Sequence, residues 1–142
     1  MMTPEERAMA LLYEGYVPDT APIVHDEVLK ALNLIGNYTD RVLKGDTKDL
    51  SDAQRENIRK ITKFTGQLYR MWHKKPPLTS LQSVHKQRLF ELLKVPLSEV
   101  ITCTTLVLTD VTGTLTTKQE TYIQTINEIS YQIRDEFKML DS

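Results

Sequence analysis

Few side chains in this sequence are able to do nucleophilic or proton-transfer chemistry. There are three histidines and one cysteine. His25 directly precedes Asp26, and a carboxylate beside an imidazole can orient it and take its proton. A histidine in the first turn of a helix meets half of that requirement by chance, so a solvated surface histidine is the plainer reading. His73 stands with Lys74 and Lys75 at the end of a helical pattern, where positive charge complements the helix dipole. His85, between Val84 and Lys86, reads as a helix-edge residue. Histidines this far apart lack the spacing of metal ligands, so neither a metal nor another cofactor is expected. Nothing near Cys103 would depress its pKa, and an inert, partly buried thiol is expected. No Ser/His/Asp arrangement is present.

The elements that must position these residues are helices, and they come twice. Residues 26–70 fall on 91–135 without a gap, at an offset of 65. Leu32 meets Leu97, Thr39 meets Thr104, and Val42-Leu43 meets Val107-Leu108. Gln54 meets Gln119, while Ile58 and Ile61 meet Ile123 and Ile126. Apolar residues recur at three-to-four spacing in each of four segments. Ser51-Asp52-Ala53-Gln54 and Thr116-Thr117-Lys118-Gln119 are both capping boxes, a hydroxyl residue with glutamine three positions on. Pro76-Pro77 separates the halves, and a third helix is expected from Thr79 or Ser80, through Val84 on its inward face and with Pro96 inside. One helical hairpin cannot bury its apolar face alone, whereas two can close a bundle.

The predicted fold is therefore all-α, an antiparallel up-down-up-down four-helix bundle of two repeated hairpins. The expected organisation is one domain over 1–142. Residues 1–19 form a short helix (Thr3 to about Tyr13) and a connector, 20–75 the first hairpin and 76–142 the second. With 142 residues the chain can bury a sizeable core. Its 18 Lys and Arg nearly balance 19 Asp and Glu, so no nucleic-acid or membrane partner is expected from net charge. A lone cysteine, the lack of a charged-then-apolar leader and the lack of a membrane-length apolar run point to a cytoplasmic protein.

The second repeat resembles a known family. Glu91-Leu92-Leu93-Lys94-Val95-Pro96-Leu97-Ser98 is similar to the phosphoacceptor helix of sensor histidine kinases, which reads His-Glu-Leu-Arg-Thr-Pro-Leu-Thr. Gly113-Thr114-Leu115-Thr116-Thr117-Lys118-Gln119 resembles that family's Gly-Pro-Leu-Thr-Glu-Glu-Gln turn. In the first repeat, Leu50-Ser51-Asp52-Ala53-Gln54 is similar. The likeness spans most of 21–140, to the dimerization and phosphoacceptor domain. There the phosphoacceptor histidine falls on Asp26 in one repeat and Glu91 in the other. Neither forms phosphohistidine, and no glycine-rich box cradles ATP. The resemblance thus implies a non-catalytic two-component signalling module, a single-chain bundle that docks a response-regulator receiver domain or a sensor kinase. The expected contact lies around Asp26 and Leu29 and around Glu91 and Lys94, and the basic second helix offers a further docking surface. Two alternatives stand beside it: a phosphotransfer protein relaying phosphate through His25, and a structural bundle with no signalling role. The chain is expected to close its bundle as a monomer, with further dimerisation possible.

Overall fold

The computed structural model describes residues 21–141, with side chains from Val24 onward. The short helix expected near the N-terminus lies outside the described residues. Within them the chain is all-helical, with four long helices and no strand: α1 (Ala21–Lys44), α2 (Asp52–Lys74), α3 (Ser83–Thr109) and α4 (Thr117–Asp141). The helices form a four-helix bundle. α1 packs on α2 and α4, and α3 packs on the same two.

Burial follows the apolar period of each segment. Val28, Leu32, Ile35, Thr39 and Val42 of α1 are buried; so, 65 residues on, are Leu93, Leu97, Val100, Thr104 and Val107 of α3. Gln54, Ile58, Ile61, Thr65, Leu68 and Trp72 of α2 are buried; so are Gln119, Ile123, Ile126, Ser130, Ile133 and Phe137 of α4. Each large aliphatic side chain in this core contributes roughly 1.5–3 kcal/mol of transfer free energy, set against the entropy of ordering it. The buried hydroxyls stay inexpensive because most bond to their own helix. Thr39 donates to the Ile35 carbonyl at 2.7 Å and Ser130 to that of Ile126 at 2.7 Å. Thr104 donates to Ile101 and accepts from Asn127 Nδ2 at 2.7 Å.

The two capping boxes do more than start their helices. Ser51 Oγ accepts from the Gln54 amide at 2.9 Å, and Gln54 Oε1 accepts from the Ser51 amide at 2.9 Å. That leaves Gln54 Nε2 free to donate to the Val107 and Asp110 carbonyls at the end of α3, at 3.1 and 3.3 Å. Gln119 makes the same pair of bonds with Thr116, and its Nε2 donates to the Asp46 carbonyl just past α1 at 2.6 Å. The Thr114 amide donates to the Asp49 carbonyl at 2.8 Å, so the α1–α2 and α3–α4 connections meet. At Gly113 the contact is so close that an added Cβ would land on Gln54 Oε1 and the Ser51 nitrogen.

Three expectations are corrected. α3 begins at Ser83, not at Thr79 or Ser80; Leu78–Ser80 is an isolated 3-10 turn. The Ser80 hydroxyl donates back to the Pro77 carbonyl at 2.7 Å and caps nothing ahead of it. Val84, placed on the inward face, is 64% exposed, because it lies in the first turn of α3 before the core begins at Phe90. No run of membrane-span character was expected, yet α3 is long and apolar enough to cross a membrane by length and composition. Its buried residues, Pro96 among them, pack into the bundle, and a core helix passes the same test.

Two glycines should respond oppositely to alanine. Gly113→Ala is expected to cost about 2–4 kcal/mol, through overpacking and loss of the cap bonds. At Gly36, inside α1, an added Cβ meets nothing within 4 Å, so Gly36→Ala should gain about 0.5–1 kcal/mol from helix propensity. Urea unfolding followed by circular dichroism measures both.

Candidate functional site

His25 lies where the start of α1 meets the ends of α2 and α4 and the first half of α3. Its ring stacks on Trp72, with centroids 5.8 Å apart and planes 21° from parallel. Trp72 in turn stacks on Phe137 at 5.1 Å, and Phe90 packs against Phe137 at 5.5 Å. The Trp72 indole N–H donates to the His25 carbonyl at 3.0 Å, which fixes the backbone under the imidazole. Lys75 Nζ also stands 4.4 Å over the Trp72 ring. Position 25 corresponds to Phe90 at the 65-residue offset, so the imidazole completes an aromatic cluster in which its counterpart is a phenyl ring.

This setting decides the chemistry of the imidazole. His25 is half-buried, and its Nδ1 is buried without a hydrogen-bond partner. Burial pushes its pKa below the usual histidine value; Lys75 and, less strongly, His73 push the same way, while the Asp26 carboxylate opposes them and is outweighed. The ring serves as an aromatic surface against Trp72, not as an exposed base with an orienting carboxylate.

Asp26, Glu91 and Lys94 are exposed, and Leu29 is half-buried against the core. Glu91 is paired with Arg88, one turn back on α3, at 3.6 Å. No hydrogen bond or ion pair joins the α1 residues to the α3 residues among those described. What gathers around Glu91 and Lys94 is apolar: Leu92 is 44% and Val95 63% exposed, and Leu106 lies further along α3 at 47%. At the same offset the outer face of α1 carries Glu27, Lys30 and Arg41, all exposed. Two helices with matching buried faces therefore differ at these three outer positions, charged on α1 and apolar on α3, while the relation reverses at Leu34, 39% exposed, against the exposed Glu99. The difference is legible in the sequence once the outer positions of the two segments are aligned.

The remaining candidates are quiet. His73 is exposed and stacks on Tyr69 at 5.8 Å, and His85 is exposed. Cys103 is buried, and that burial pushes its thiol pKa up. On the basic helix α2, Arg55 pairs with Asp52 at 2.7 Å and Arg59 with Glu56 at 4.0 Å, each within one turn. Among the described residues no three His, Cys, Asp or Glu side chains cluster for a metal.

No protein-family model matches this chain, and neither the curated proteins nor the solved structures searched contain a match to it.

The depressed His25 pKa has a sign in stability. Below the ordinary histidine range the unfolded chain binds a proton that the fold resists, so stability is complete above about pH 6.5 and falls as pH drops below it. His25→Phe should flatten that slope and, by removing the unpartnered Nδ1, raise stability by about 1 kcal/mol. Urea titrations at several pH values between 5 and 7.5, compared with wild type, test both effects.

Proposed function

We propose that this chain is a non-catalytic docking module of two-component signalling. In this reading it is a single-chain counterpart of the histidine-kinase dimerization domain, with two copies of one hairpin in up-down-up-down order. The recurrence of buried positions at a 65-residue offset supports the hairpin repeat, as do the glutamine caps that cross between the helix pairs. One observation carries the functional part. The outer face of α3 exposes Leu92 and Val95 beside Glu91 and Lys94, where the matched α1 positions are the charged Glu27 and Lys30. Clustered exposed apolar residues rimmed by charge mark interaction surfaces. The resemblance makes a response-regulator receiver domain, or a sensor kinase, the partner to test first. Asp26 and Glu91 at the acceptor positions leave no side chain to carry phosphohistidine.

The relay through His25 is the weaker reading. A phosphoacceptor imidazole must meet its donor in line and be free to gain and lose a proton. The His25 ring lies against Trp72 with one nitrogen buried. A structural bundle without a partner would leave the apolar α3 face unexplained.

Calorimetric titration with purified receiver domains and sensor kinases should identify a binder. Glu91→Lys and Val95→Asp are expected to weaken it by at least about tenfold, a loss of about 1.4 kcal/mol. Glu120→Lys should leave it unchanged. Equal losses at all three positions, or no binder, would count against docking on α3. Label transfer from a phosphorylated receiver that disappears in His25→Gln would establish the relay instead.

A further inference from the structure

At the opposite end of the bundle from His25, a cleft of about 490 Å³ opens between the end of α1 and the start of α4. Arg41, Lys44 and Asp46 line it from the end of α1 and the loop beyond, with Thr116, Lys118 and Tyr122 on the α4 side. The cations are unevenly engaged. Lys44 is paired with Asp40 at 2.9 Å. Arg41 rests 6.0 Å from the Tyr38 ring centroid, and neither it nor Lys118 forms an ion pair with any described carboxylate. The Asp46 carboxylate is turned to its own loop, accepting from the Lys48 amide at 3.0 Å. The capping box occupies the Gln119 amide, which leaves the Thr117 and Lys118 amides without an acceptor among the described residues.

The matching place 65 residues away shows what such a position accepts. There the Asp110 carboxylate accepts from Ser51 Oγ, the N-cap hydroxyl of α2, at 2.5 Å, and from Thr112. An anion supplied by the chain itself thus sits at the start of α2. The counterpart of Asp110 is Gly45. Their backbones agree, since each amide donates to the carbonyl four residues back, Asp110 to Leu106 and Gly45 to Arg41, both at 3.1 Å. Where the carboxylate is built in, the flanking positions are uncharged: Leu106, Thr109 and Ala53. Where glycine removes it, the same three positions are Arg41, Lys44 and Lys118. One carboxylate stays close, at Asp46 where the other half has Val111, but its Oδ1 is taken by the Lys48 amide and the three cations outnumber it.

We propose that this cleft binds a phosphate-bearing anion, a phosphomonoester or free phosphate, at the place Asp110 fills in the other half. A single carboxylate suffices beside α2. Three cations, a hydroxyl and two amide donors match a doubly charged group with three acceptor oxygens. The room beside Tyr122 accommodates the organic part of an ester. This site is separate from the α3 face, so either can fail without the other.

The test is a nitrogen-15 amide titration of the full chain with inorganic phosphate, then with pyrophosphate, at constant ionic strength. The Thr117 and Lys118 amides should move and saturate, while those of Asp52 and Ala53 at the start of α2 stay still. Arg41→Ser should weaken binding by at least about tenfold. Gly45→Asp supplies the missing carboxylate at a position where an added Cβ makes only ordinary contacts. It should abolish phosphate binding by placing a carboxylate beside the Thr116 hydroxyl, as Asp110 stands beside that of Ser51. Circular dichroism of both variants confirms that they fold. Sedimentation with phosphatidic acid vesicles separates the sources. Vesicle binding that Gly45→Asp removes assigns the phosphate to a lipid headgroup; no vesicle binding assigns it to a soluble ester. Shifts that do not saturate, that appear equally at Asp52 and Ala53, or that persist unchanged in Gly45→Asp would overturn the site.

Discussion

The bundle depends on two glutamines that each serve two helices at once. A helix start leaves amides without partners and a helix end leaves carbonyls, and burying either without a partner is costly. Gln54 uses its carbonyl to close the cap of α2 and its amide to close the end of α3. Gln119 does the same for α4 and the residue just past α1. Neither helix pair can finish its own termini. The buried polar atoms of one pair are satisfied only when the other is docked in register, so these bonds set alignment where apolar contact alone would tolerate sliding. The close approach at Gly113 follows from the same geometry.

The inward faces were legible in the sequence because periodic burial leaves a periodic mark. Leu32, Ile58, Val100 and Ile126 are fully or nearly fully buried, as their spacing implied. Both capping boxes were legible too, since hydroxyl and glutamine at a fixed interval have one obvious local use. Their second use was not, because the Nε2 acceptors lie more than fifty residues away in the chain. The start of α3 was misplaced for a local reason. Ser80 has the chemistry of a cap, and only the 3-10 turn set up after Pro77 shows that its hydroxyl points backward.

His25 shows where reading chemistry from neighbours in sequence fails. Asp26 is adjacent along the chain, yet the contacts that govern the imidazole come from Trp72 and Lys75 on another part of the molecule. The differences between matched positions proved more informative than the identities. Matched inner residues report the shared core. Glu27 against Leu92, Lys30 against Val95 and Gly45 against Asp110 report where the surroundings of matched positions differ.

The distribution of aromatic residues gives the molecule two optical reporters. Its single tryptophan is sealed within the ring cluster at one end. At the other, Tyr38 and Tyr122 stack across α1 and α4 at 5.3 Å. Indole emission therefore follows fraying from the terminus of α2, whereas the environment of the tyrosine pair follows parting near the connections. If the bundle opens from one end before the other, the two signals will separate in time, and their order will tell which end unzips first.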